Sequence, residues 1–160
     1  MIVRVLLLLV IVPACATPAQ TASQCPWLSS GTAAKILGGN ISLEAHADGN
    51  DDGSCRFVRN DGGKAESIDI LIGKKDTHPC PAESASVRSL GNEAVQCRRL
   101  DPDNQQIDII AGRMRDVYFA VTMTGLPDAA RQIPADPHLS DPFGASLLER
   151  VAEQVVGNLY

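Results

Sequence analysis

Four cysteines, Cys25, Cys55, Cys80 and Cys97, limit how this 160-residue chain can fold more than any other feature. A fifth, Cys15, sits directly behind an apolar run, Val5-Leu6-Leu7-Leu8-Leu9-Val10-Ile11-Val12, which opens after Arg4 and closes at Pro13-Ala14. A positive start, a short apolar core and a small-residue end make up a secretory signal peptide, and the run is too short to span a bilayer. Export leads to an oxidising compartment, where an odd thiol is a liability. Once Cys15 is lipidated or removed, the other four can pair completely. Three pairings are open, and the expected one is sequential, Cys25–Cys55 and Cys80–Cys97. Cys25 stands ahead of the first helix and Cys55 begins a strand behind it, so their bond would clamp helix to sheet. Cys80 opens an irregular middle section and Cys97 lies in the next strand, so the second bond would pin that section.

Val12-Pro13-Ala14-Cys15 resembles a bacterial lipobox, which implies that Cys15 becomes the acylated first residue and anchors the protein to a membrane. The rival site, Ala14-Cys15-Ala16, would be cut before Thr17, discard Cys15 and leave the protein secreted. Residues 16–24 have no periodicity and no large apolar side chain, and read as a flexible tether. The expected organisation is a signal peptide over 1–14, a lipidated cysteine and tether over 15–24, and one disulfide-stapled domain over 25–160.

The domain shows the marks of an α+β fold. Ser29 or Ser30 can cap a helix over 32–37 that Gly38-Gly39 ends. Ile41, Leu43 and Ala45 alternate with Ser42 and Glu44, Ile68, Ile70 and Ile72 alternate with Asp69 and Leu71, and 55–59 gives a further strand. Asn60-Asp61-Gly62-Gly63 reads as a hairpin turn. A short helix is expected near 82–89, then strands over 94–98, 106–111 and 117–123, with turns at 101–104 and 112–116. Asp141-Pro142 opens a C-terminal amphipathic helix with Phe143, Leu147, Leu148, Val151, Val155 and Leu159 on one face. The expectation is an antiparallel sheet of about six strands packed with a short N-terminal and a longer C-terminal helix. The order of elements hints at a duplication. With aromatics at 4%, the core must be aliphatic.

Several stretches together resemble a family of small bacterial envelope lipoproteins, best known from actinobacteria, that carry a domain of unknown function. They are Cys25-Pro26-Trp27 before a helix ending at Leu37-Gly38-Gly39, then Gly53-Ser54-Cys55-Arg56-Phe57, and Leu90-Gly91-Asn92-Glu93-Ala94-Val95. The strand pair over 113–121 and the C-terminal helix also fit, so the resemblance spans 25–160. It implies an antiparallel sheet with packed helices, similar to the extracytoplasmic sensor domains of some bacterial kinases. It implies no activity and no catalytic set.

No sequence motif for catalysis stands out. Asp48-x-Asn50-x-Asp52-Gly53 matches the first half of a calcium loop, but Arg59 occupies the position that needs a bidentate Glu, so a polar turn is expected. His46, His78 and His138 lack metal-site spacing, and the cysteines lack C-x-x-C spacing. No G-x-S-x-G elbow occurs. Arg56, Arg59, Arg98, Arg99, Arg113 and Arg115 would make an anion-binding face if gathered together, or protected strand edges if not. The balance of 14 basic against 19 acidic residues, with no basic cluster, argues against nucleic acid. The expected function is therefore a non-enzymatic, cofactor-free envelope module. Its membrane contact is the lipid anchor, and its partner is a small molecule, a lipid or an envelope protein. A structural or assembly role, or a hydrolase whose site forms only in space, are the alternatives. The binding surface is expected where the C-terminal helix meets the sheet, near Phe143, Leu147 and Tyr118, or on the 126–140 loop.

Overall fold

Alternation of apolar and polar residues resolves into seven antiparallel strands. The computed structural model describes residues 24–59, 65–76, 79–82, 84–90, 93–126 and 146–160. The strands are β1 (Ile41–Ala47), β2 (Gly53–Arg59), β3 (Glu66–Gly73), β4 (Ala85–Ser86), β5 (Val95–Leu100), β6 (Gln106–Met114) and β7 (Val117–Thr124). They form one sheet in the order β1-β2-β3-β7-β6-β5-β4. Among the described residues, two helices, α1 (Ser30–Leu37) and α2 (Leu147–Gly157), complete an α+β domain. The duplication hinted at by the element order has a topological counterpart. Meanders β1-β2-β3 and β5-β6-β7 meet through their last strands, where β3 pairs antiparallel with β7.

The seventh strand replaces the short helix expected near 82–89. That stretch forms β4 and a single 3-10 turn, Arg88–Leu90. A helix this short, rich in serine, has too few hydrogen bonds to offset its nucleation cost. The ladder offers more, and the Val87 N–H donates to the Ala94 carbonyl at 2.8 Å. The turn expected over 60–63 and the helix start at Asp141-Pro142-Phe143 lie outside the described residues, as do Cys15 and most of the tether.

Both helices cover the same face. α1 buries Ala33 and Leu37, and α2 buries Leu148, Val151, Ala152 and Val155. Beneath them lie Ile68, Ile70 and Ile72 of β3, Val117, Phe119, Val121 and Met123 of β7, and Ile110 of β6. Local chemistry sets the helix ends. Ser29 Oγ accepts from the Thr32 N–H and Gly38, at φ 73°, closes α1 in the left-handed region. Arg59 Nη1 donates to the Leu37 carbonyl while its Nη2 pairs with Glu66 at 2.9 Å, tying the end of α1 to β2 and β3. Ser146 caps α2 by accepting from the Glu149 N–H.

The disulfides are Cys25–Cys55 and Cys80–Cys97, with Cα separations of 5.8 and 5.7 Å. The sequential pairing is thus the one formed. The first ties the segment ahead of α1 to β2 on the helix side. The second ties residues 79–82 to β5 on the other side, where Cys80 and Cys97 pack on a smaller cluster of Ile109, Ala111 and Ala120. Two such bonds mark an extracytoplasmic protein. No helix among the described residues is long and apolar enough to cross a membrane.

Gly112, expected in a turn, lies inside β6, and the two-residue turn is Arg115-Asp116 with Arg115 at φ 56°. A Cβ at Gly112 would stand 2.8 Å from Ala94 Cα and 3.2 Å from the Phe119 ring. Gly112→Ala is therefore expected to destabilise the domain by about 1–3 kcal/mol through overpacking. A urea midpoint unchanged from wild type would contradict this close approach.

A candidate ligand cleft on the uncovered sheet face

Among the described residues, Tyr118 and Leu147 do not come together in the expected groove between α2 and the sheet. Along β7, Val117, Phe119, Val121 and Met123 face the helices, so Tyr118 points to the opposite face, where Arg113 lies over its ring at 5.5 Å. Leu147 packs partly buried against the core. The cavity beside the start of α2, lined by Asp108, Met123 and Leu148 among others, measures about 30 Å3, room for little more than a water. Phe143 and residues 127–140 lie outside the described residues, and Leu126 is buried at the end of the core.

The larger cleft, about 400 Å3, opens on the face that carries no helix among the described residues. Its size falls within the range of small-molecule sites. Register builds it from two cross-strand rows. One runs Glu44–Arg56–Asp69–Thr122 across β1, β2, β3 and β7, and the next runs His46–Ser54–Leu71–Ala120. Pro79, beside the Cys80–Cys97 bond, closes one side. The polar row therefore borders an apolar floor, an arrangement that orients a ligand with charged groups while burying its apolar part.

Charge in the cleft is ordered by the same rows. Arg56 stands between Glu44 and Asp69 and its Nε lies 3.4 Å from Asp69 Oδ1. The second Asp69 oxygen accepts from Ser67 Oγ at 2.8 Å. The Arg56–Asp69 pair is largely exposed and stabilises the fold by no more than about 1 kcal/mol. Glu44 and His46 are exposed and make no side-chain hydrogen bond among the described residues.

Serine, histidine and aspartate do share this face, as a spatially assembled hydrolase would require. Ser54 is the direct cross-strand partner of His46, yet no hydrogen bond joins them. Asp69 is two strands across and two residues along from His46, about 12 Å at normal strand spacing and rise, and its oxygens are engaged by Arg56 and Ser67. Among the described residues, no chain of hydrogen bonds links these three as nucleophile, base and orienting acid.

The remaining candidates disperse. Asp48, Asn50 and Asp52 form the β1–β2 turn, where Asp48 N–H donates to the Asp52 carbonyl and Asn50 O accepts from Trp27 Nε1. No group of three or more His, Cys, Asp or Glu among the described residues comes together as a metal site. Lys74 Nζ lies 3.1 Å from Asp51 Oδ2. Its hydrogen bond holds the Asp51 carboxyl below the usual range, and the Asp51 carboxylate in turn raises Lys74. The pair's small contribution is lost as pH falls through the lowered Asp51 value or rises through the raised Lys74 value. The arginines divide between faces. Arg59 and Arg98 pair on the helix side with Glu66 and Asp108, while Arg56, Arg99 and Arg113 lie on the cleft side. Arg115 sits at a turn over the Tyr160 ring. They make no single anion-binding face. His78 and His138 lie outside the described residues.

No protein-family model, curated protein or solved structure matches this chain. The cleft residues thus stand on their own chemistry. The sequence places His46, Ser54 and Arg56 in separate stretches and gives Glu44 and Leu71 only as members of strand patterns. The available signal was Leu71, an apolar residue out of phase with Ile68, Ile70 and Ile72, and 41% exposed in the fold.

Proposed function

We propose that the chain is an exported envelope lipoprotein, acylated at Cys15, whose domain binds a small molecule or an envelope protein without transforming it. The observation that carries this reading is the open cleft with its polar row, Glu44–Arg56–Asp69–Thr122, beside Leu71 and Ala120. The two disulfides support an exported location, and the position of Cys15 behind the apolar run supports the anchor. An anchored domain meets partners at high local concentration, which suits a receptor or adaptor.

Two experiments test this. Expression in a bacterium fed labelled fatty acid should label the wild type and not Cys15→Ser, and equal labelling would remove the anchor. For the cleft, a thermal-shift and NMR screen of amphipathic small molecules and peptides should yield binders. Their affinity should fall at least tenfold in Leu71→Arg, which fills the apolar floor with a charged chain. Binders indifferent to Leu71→Arg would move the site elsewhere, and turnover of any screened compound would overturn the non-enzymatic reading.

A further inference from the structure

The two edges of the sheet differ. β4 is two residues long, a blunt edge with little to pair. β1 runs Ile41–Ala47 without proline or lysine, in continuous register with β2, and no described strand lies beyond it. The ladder decides which of its backbone groups are open. Asp48 N–H bonds the Asp52 carbonyl at 2.9 Å in the turn. Alternation from there directs the N–H and C=O groups of Ser42, Glu44 and His46 toward β2. Those of Ile41, Leu43, Ala45 and Ala47 face outward.

We propose that β1 pairs antiparallel with β1 of a second copy, about a two-fold axis at Ala45. Such a contact is isologous and adds a strand ladder between the two sheets. The outward groups allow registers centred on Leu43, Glu44 or Ala45, and the side chains choose among them. Centring on Glu44 opposes two like carboxylates, which is unfavourable. Centring on Leu43 sets Glu44 against Ser42 and leaves His46 beyond the overlap. Centring on Ala45 sets Glu44 of each copy against His46 of the other. An imidazole N–H then donates to each carboxylate, at the non-hydrogen-bonded positions where cross-strand side chains come closest. Glu44 and His46 are both exposed and make no side-chain hydrogen bonds among the described residues of the single copy. The edge is thus complementary to itself in one register. Because both residues line the cleft, the clefts of the two copies adjoin across the axis. The overlap is short, so the dimer is weak in dilute solution and gains from anchoring both copies to one membrane.

Cysteine cross-linking of the full exported chain tests the register. At the axis the two Ala45 Cα atoms would lie about 5.5 Å apart, within disulfide reach. Ala45→Cys should give a covalent dimer on a non-reducing gel, several-fold more than Leu100→Cys, whose side chain is 60% exposed away from this edge. In the Ala45→Cys background, Glu44→Lys should reduce the dimer several-fold, and adding His46→Glu should restore it by pairing an ammonium with a carboxylate. Equal dimer from Ala45→Cys and Leu100→Cys, or a yield unmoved by Glu44→Lys, would overturn the proposal. Should Ala45→Cys fail to accumulate, sedimentation of the unsubstituted chain decides. Its mass should rise toward a dimer with concentration, while Ala45→Pro, lacking the outward N–H, stays monomeric. A monomer at every concentration of the unsubstituted chain would overturn the pairing.

Discussion

Trp27→Ala is expected to cost about 3–5 kcal/mol, a large share of the stability of a domain this size. Trp27 is fully buried and is the chain's only tryptophan. Its indole Nε1 donates to the Asn50 carbonyl at 2.7 Å, and its own carbonyl accepts from Asn158 Nδ2 at 2.9 Å. One residue thus joins the entry of the chain to the β1–β2 turn and to the end of α2. Removing the ring opens a cavity and leaves a part-buried carbonyl without its donor. Trp27→Phe separates these effects, since it keeps most of the volume and loses the N–H. It should cost less than half as much as Trp27→Ala. Urea unfolding followed by circular dichroism would check both, and a loss below about 1 kcal/mol for Trp27→Ala would show that the ring is not the hub described.

Loss of the Cys25–Cys55 disulfide should follow closely in size, at about 3.5 kcal/mol. The bond spans 30 residues, and closing a loop of that length removes about that much conformational freedom from the unfolded chain. The Cys80–Cys97 bond spans 17 residues, which gives about 3 kcal/mol on the same argument. Their native surroundings separate them further. Cys55 is buried in the main core beside Phe57 and Ile70, whereas Cys80 and Cys97 are partly exposed over the smaller cluster. Paired Cys→Ala variants should therefore rank Cys25/Cys55 as the more damaging in chemical denaturation, and the reverse order would contradict this account. Trp27 lies two residues from Cys25 and holds the same entry segment. Combining Trp27→Ala with loss of the first bond should thus cost less than the sum.

Much of the architecture follows from local pattern. The Ser29 cap and Gly38 terminator of α1, the Ile68, Ile70, Ile72 alternation of β3 and the Leu148, Val151, Val155 stripe of α2 each state which face is buried. A strand of period two and a helix of period 3.6 can bury only one set of residues. Cys25, Cys55, Cys80 and Cys97 allow only three complete pairings, and the sequential one clamps α1 to the sheet. Even the position of Tyr118 was readable, because Val117, Phe119, Val121 and Met123 take the helix side and exclude it from a groove beneath α2. Only the tertiary structure decided that β3 neighbours β7, that β4 joins as a seventh strand, and that Gly112 stays inside β6 where Ala94 approaches. It alone brought Glu44, Arg56, Asp69 and Thr122 into one row. The reason is physical: alternation along a strand fixes its two faces but carries no information on which strand lies beside it. That choice depends on pairing, packing and close approach summed over residues far apart in the chain.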